Sequence, residues 1–190
     1  MSLVIITPPA TEPITLTEAK AQCRVDGTAE DALLTIYIQS AREQCERLIG
    51  RKLITQTVEQ RLDAFPDGEI QLEAVPVVSI SSVKYDDGDG VEQTLSGSDY
   101  VLDAAAYPGG WLQPAVDTEW PLTIDYTNCV RVRYVAGFGA ASDVPAPIKA
   151  WLLLTVAALF EQRAAISDNG RAAAVPDNFV GGLLDPWRVY

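Results

Sequence analysis

The sequence predicts an α+β fold: a helical core, made of an N-terminal helix pair and a C-terminal apolar helix, interrupted by an antiparallel β-rich insertion. Three observations predict it. Apolar residues recur at helical spacing as far as Gly50. From Lys52 to about Ala136 the texture changes to Thr- and Val-rich runs broken by Gly, Pro and Asp. A continuous apolar run, Trp151 to Phe160, then restores helical texture. The boundaries are 1–53 and 137–166 for the two helical parts, 54–136 for the insertion and 167–190 for an extended tail. With 190 residues the chain is one domain or two small ones, burying roughly 70% of its unfolded surface.

The N-terminal quarter carries explicit helix signals. Thr15-Leu16-Thr17-Glu18 fits a capping box, in which hydroxyl and carboxylate satisfy orphan amides of the first turn. A short helix follows to about Val25, with Asp26-Gly27 as its stop. Thr28 offers a second cap, and Glu30 and Asp31 suit the positive end of a helix dipole. Leu34, Ile38, Ala41, Cys45 and Leu48 then form one apolar stripe along a long helix that Gly50 ends.

Strands are expected at Ile54–Leu62, Ile70–Leu72, Val77–Tyr85, Val91–Leu95, Tyr100–Leu102 and Val130–Val135. The apolar face of the third slips at Ser81-Ser82, which predicts a bulge. Asp86-Asp87-Gly88-Asp89-Gly90 closes a hairpin. Between Tyr100 and Val130 lies an irregular stretch with Pro108-Gly109-Gly110-Trp111 and Trp120-Pro121. No helix-length crossover separates these strands, so an antiparallel sheet or small barrel is the closure expected.

Asp143, or the prolines Pro145 and Pro147, should start a helix reaching about Arg163. Its middle is apolar on every face and has to be covered all round, by its own chain or by a neighbouring subunit. The tail ends in Leu183-Leu184-Asp185-Pro186-Trp187-Arg188-Val189-Tyr190, an apolar, aromatic ending that suggests docking.

Composition narrows the chemistry. There is no histidine, which removes His-based acid–base catalysis, Ser-His-Asp and Cys-His dyads and most zinc sites. A net charge of −12 argues against broad affinity for nucleic acid or anionic membrane. The start lacks a basic region and a signal-length apolar stretch. The longest apolar run is far below the ~20 residues of a membrane span. Cys23, Cys45 and Cys129 have unrelated spacings, as expected of reduced thiols in a cytoplasm.

No constellation points to catalysis, a cofactor or a metal. Asp86, Asp87 and Asp89 lack the distant Glu of a calcium loop and read as a solvated hairpin tip. Gly137-Phe138-Gly139 lacks phosphate-loop spacing and reads as a strand-to-helix connection. Trp111, Trp120 and Tyr107 are either a sugar-stacking platform or core aromatics. Lys20, Arg24, Arg42, Arg47, Arg51 and Lys52 cluster in the N-terminal part. They are either paired and solvated, as Glu43 with Arg47 would be, or in contact with passing DNA.

Several of these residues together resemble a family. Leu16-Thr17-Glu18-Ala19-Lys20, Arg24-Val25-Asp26, Glu30-Asp31-Ala32-Leu33-Leu34, Ala41-Arg42-Glu43, Glu46 and Gly50-Arg51 look like the head–tail connector (adaptor, head completion) proteins of tailed bacteriophages. Val132 to Gly139, Val144-Pro145, Ile148-Lys149, Glu161-Gln162-Arg163, and Leu183-Leu184 with Pro186-Trp187-Arg188 resemble the same family in a longer form with a β-rich insertion.

The resemblance implies a structural virion protein rather than an enzyme, made in the host bacterial cytoplasm. It would form a homo-oligomeric ring, expected to be twelvefold, under the portal protein. The ring would extend the DNA channel and offer a platform to a head-completion, stopper or tail protein. DNA would pass without sequence-specific binding, with no cofactor and no membrane involved. Candidate subunit contacts are Leu34, Ile38, Ala41, Trp151, Leu154 and Phe160; candidate portal-docking residues are Leu183, Leu184, Trp187 and Tyr190. The alternatives are a β-rich binding module, carbohydrate- or tail-associated, and a carboxylate-dependent hydrolase.

The charge is unevenly placed. Residues 54–136 hold fourteen acidic and four basic side chains, so the insertion carries −10 of the total −12. It would either line the channel, repelling DNA, or sit on the outer rim, keeping rings apart, and the rim is favoured.

Overall fold

The computed structural model describes residues 1–106, 109–162 and 181–189. The chain divides into two units: residues 1–10, 55–138 and 189–190 form a strand unit, and residues 11–54 and 139–188 a helical unit. The strand unit is thus threaded between the helices in sequence, and the α+β class holds. The boundary at the start differs from expectation. Residues 1–10 do not join the helical part; Ser2–Thr7 is strand β1, paired with the strand unit. Its Leu3-Val4-Ile5-Ile6 run is strand-forming rather than helical in character.

In the helical unit, α1 (Leu16–Cys23) begins with the expected capping box. The Glu18 amide donates to Thr15 Oγ1 at 3.1 Å and the Thr15 amide donates to Glu18 Oε2 at 2.6 Å. The helix ends earlier than Asp26-Gly27, at Arg24, which takes the left-handed conformation (φ 55°). α2 (Asp31–Ile49) has Glu30 rather than Thr28 at its N-cap, with no side-chain cap. Lys20 fastens this corner instead, donating to the Gly27 carbonyl and lying 2.7 Å from Asp31 Oδ1. Gly50 ends α2 at φ 69°, as expected. The apolar stripe continues through Ile49, which is buried, not Leu48, which is exposed. After Cys45 the 3.6-residue turn falls between these two, and Ile49 takes the inward place.

α3 (Ala146–Glu161) has Pro145 at its N-cap and Pro147 in its first turn. It packs on both α1 and α2. Ile148, Trp151, Leu152 and Val156 are buried, while Leu153, Leu154, Leu159 and Phe160 are partly exposed. The helix is apolar all round but covered on one side within its own unit.

The strand unit contains β2 (Gln56–Leu62), β3 (Ile70–Gln71), β4 (Val77–Asp86), β5 (Glu92–Thr94), β6 (Tyr100–Asp103), β7 (Trp111–Pro114) and β8 (Val130–Ala136). One antiparallel sheet runs β1-β2-β8-β4-β5 and a smaller one β3-β7-β6. In β8, Val130, Val132, Tyr134 and Ala136 face inward while Arg131 and Arg133 face out, the period of two a half-buried strand requires. With Val58, Val83, Ile70, Leu72 and Leu112 they make a core shared by both sheets. β4 carries the bulge predicted at Ser81, between Ile80 and Ser82, and a second between Val77 and Ser79. β7 falls in the stretch expected to be irregular. Gly110 lets it approach β4, since a Cβ there would lie 2.5 Å from Val77 Cγ2.

Candidate interaction surfaces

Four of the six candidate subunit-contact residues are core. Leu34, Ile38, Ala41 and Trp151 are buried inside the helical unit. An apolar stripe is satisfied by the first apolar partner it meets, and here that is α3 of the same chain. Leu154 and Phe160 lie on the partly exposed side of α3.

The C-terminal residues are similarly divided. Leu184 is fully buried in the helical unit, ahead of a 3-10 turn at Asp185–Trp187. Arg51 Nε donates to the Trp187 carbonyl at 2.8 Å, and Arg188 lies 3.5 Å from Asp185. Leu183 and Trp187 are half-buried. Tyr190 lies outside the described residues, as do Arg163 and the start of the tail.

Of the six N-terminal cations, Lys20, Arg42 and Lys52 are ion-paired. Arg42 and Glu46 are both buried; Arg42 Nε donates to Glu12 at 2.8 Å and approaches Glu46 at 3.7 Å. Glu46 also accepts from Lys52 Nζ at 3.1 Å and from the Leu53 amide at 3.0 Å. This network joins the segment before α1, α2 and the chain leaving it. Glu43 is engaged by Gln39 and Arg42 rather than by Arg47.

In the strand unit all four cations are taken up. Arg61 and Arg133 flank the buried Glu59 at 2.8 and 2.7 Å. Arg131 grips Asp86 with both terminal nitrogens, at 2.6 and 3.0 Å, and reaches Glu92 at 3.1 Å; Lys84 lies 2.7 Å from Glu92. The remaining eleven acids have no lysine or arginine of their own segment left to neutralise them. Burial works to raise the Glu59 carboxyl, but the hydrogen bonds from Arg133 and Arg61 outweigh it and hold the group low. Hydrogen bonding from Arg131 holds Asp86 low as well.

Among the described residues no group of three Cys, Asp or Glu is placed to hold a metal, and no helix is long and apolar enough to cross a membrane. The Asp86–Gly90 tip is the solvated turn expected: Asp87 Oδ1 accepts from the Asp89 and Val91 amides. Trp120 stacks on Phe65 at 4.8 Å and 6°, and its Nε1 donates to the Gly68 carbonyl at 2.6 Å. One of its faces is thereby occupied. Trp111 belongs to β7, and Tyr107 lies outside the described residues.

Residues 13–87 match the family described as phage gp6-like head-tail connector protein. The resemblance read from the sequence is to this family. The match takes in α1, α2 and the strands β2 to β4, with the capping box, the Lys20 corner and the Arg42–Glu46 network inside it. Solved structures share the fold over the whole chain. The neck of an empty GTA particle computed with C6 symmetry superposes with a TM-score of 0.82 at 23% identity, covering 100% of this chain and 96% of that one. The virion of a native gene transfer agent particle gives 0.81 at 23%, and the neck of a native GTA particle computed with C12 symmetry gives 0.74 at 24%, with the same coverage. Among curated proteins nothing matches.

One surface has no counterpart among the predicted elements: β1 forms the outer edge of the larger sheet. Its run of uncharged, β-branched residues was the available signal.

Proposed function

We propose that this protein is a structural head–tail connector, a neck component of a phage-like particle and not an enzyme. The family match over residues 13–87 carries the reading. The fold shared along the full chain with neck proteins solved at C6 and C12 symmetry supports it. The protein forms a homo-oligomeric ring of twelve copies beneath the portal, extends the DNA channel and gives a head-completion, stopper or tail protein its platform.

A ring needs two different faces on each subunit. The partly exposed side of α3, with Leu154 and Phe160, supplies one, because its apolar area is left uncovered by α1 and α2. Leu183 and Trp187 contact the portal from a turn that the buried Leu184 anchors. The acidic strand unit sits on the rim, where its charge keeps rings apart. DNA passes without being held, since the paired cations leave few positive groups for phosphates.

Native mass measurement and particle images of the chain, alone and mixed with portal, test the proposal. Rings, or a monomer that closes into rings on portal, are expected. A strict monomer that ignores portal and binds glycans would instead make it a carbohydrate-binding module.

A further inference from the structure

The two edges of the larger sheet are built differently. β5 is three residues long, and its Glu92 is held by Lys84 and Arg131. Short length and charge are what keep a sheet edge from pairing with another chain. β1 has neither protection. It is six residues, Ser2-Leu3-Val4-Ile5-Ile6-Thr7, without a charge, a glycine or a proline. It pairs with β2 on one side, and no described strand pairs with it on the other. Ile5 is 51% exposed. The irregularity between Ile5 and Thr7 and the following Pro8-Pro9 close only its far end. At the Met1 end opens a cavity of about 190 Å³, lined by the apolar Met1, Leu72, Val75 and Val189 and by the polar Gln71 and Glu73.

We infer that the free edge of β1 accepts an extended strand from a different protein, which adds to the sheet and sets an apolar side chain into the cavity at Met1. Main-chain hydrogen bonds hold such a strand and the cavity selects its side chain. A second copy is a poor donor. Its other sheet edges, β3, β5 and β6, are only two, three and four residues long, and β5 and β6 carry the charges of Glu92 and Asp103. Pairing of β1 with β1 is two-fold and stops at a dimer, so it cannot propagate around a ring. That last step rests on the connector reading. The strand unit carries fourteen acidic and four basic residues, so the fitting segment alternates apolar, β-branched side chains and has lysine or arginine at its ends.

The test uses the full chain and a synthetic peptide of alternating valine and threonine with a lysine at each end. Binding is followed by fluorescence anisotropy, and the site by hydrogen exchange at the Ser2–Ile5 amides. The peptide should bind and slow exchange there. Ile5→Lys should weaken it about tenfold or more, Ile5→Thr should keep it, and Gln93→Lys on the other edge should leave it unchanged. No binding to the native chain, equal binding to Ile5→Lys, or protection only at β5 would overturn the inference. So would a concentration-dependent dimer that Ile5→Lys abolishes, because the occupant would then be a second copy. Ring formation with portal is read separately, so loss of one reading does not carry the other with it.

Discussion

Arg51 Nε donates a hydrogen bond to the main-chain oxygen of Trp187, joining residues 136 apart in sequence. The residue just past the end of α2 thus holds the last turn of the chain, with Leu184 buried beside it in the same unit. Leu184→Ala should lower stability by about 2–4 kcal/mol, the usual cost of emptying a leucine site. Leu183→Ala, at a half-buried position, should cost less than about 1 kcal/mol. Thermal melts of the two variants check this, and equal effects would mean the turn is not anchored through Leu184.

The Arg42–Glu46 network gives a second expectation. Glu46 serves Arg42, Lys52 and the Leu53 amide from a buried position, so Glu46→Ala leaves three donors short of an acceptor. A loss of about 3 kcal/mol is expected, as for breaking a buried ion pair. Glu12→Ala removes one partner at a more open position and should cost about 1 kcal/mol. Denaturant unfolding ranks the two; the reverse order would put the keystone at Glu12.

Local signals were the legible part of this fold. The Thr15 capping box, the Gly50 stop, the Asp86–Gly90 hairpin and the Ser81 bulge each depend on a few neighbouring residues, and each stands where the sequence put it. What failed depends on distant partners. Leu34, Ile38, Ala41 and Trp151 have the pattern of a contact surface, but periodicity cannot say whether the contact is another subunit or the next helix of the same chain. β1 became a strand through β2, some fifty residues on, and β7 through Gly110 closing against Val77. The helix end at Arg24 turned on Lys20 reaching Asp31, which lies in the following helix.

The three thiols should separate by reactivity. Cys45 is buried, and burial pushes its thiol up to about 12. Cys129 is also buried and its Sγ lies 2.9 Å from the Asp63 carbonyl. Cys23, near the end of α1, is partly exposed, though burial and then Glu161 raise its thiol too. A thiol reagent at pH 8 should therefore modify one cysteine slowly and the other two only on unfolding. Cys23→Ser should abolish the native reaction; if it does not, α2 or β8 opens in the native state.

Acid should act through Glu59. Its carboxyl is held below the ordinary value of 4.5 in the folded chain by Arg133 and Arg61, against the effect of burial. A depressed folded value adds stability that is fully present above 4.5 and lost as pH falls through the folded value. Melting temperatures taken downward from pH 5 should fall more steeply for the native chain than for Glu59→Gln, which has nothing there to titrate. Parallel curves would assign the acid sensitivity to other carboxylates.

The two sides of α3 should respond in opposite ways to the same charge. Leu152 is fully buried, so Leu152→Asp places a carboxylate among apolar side chains and should unfold the helical unit. Leu154 and Phe160 are partly exposed, so Leu154→Asp and Phe160→Asp should leave a folded chain within about 1 kcal/mol of the native one. In the proposed ring those positions would meet a neighbour, where an unpaired carboxylate is costly and every interface would repeat the cost. Circular dichroism should show native helix content for both exposed variants, while particle images with portal should show no closed rings. Rings of normal diameter from Leu154→Asp and Phe160→Asp together would move the subunit contact off α3.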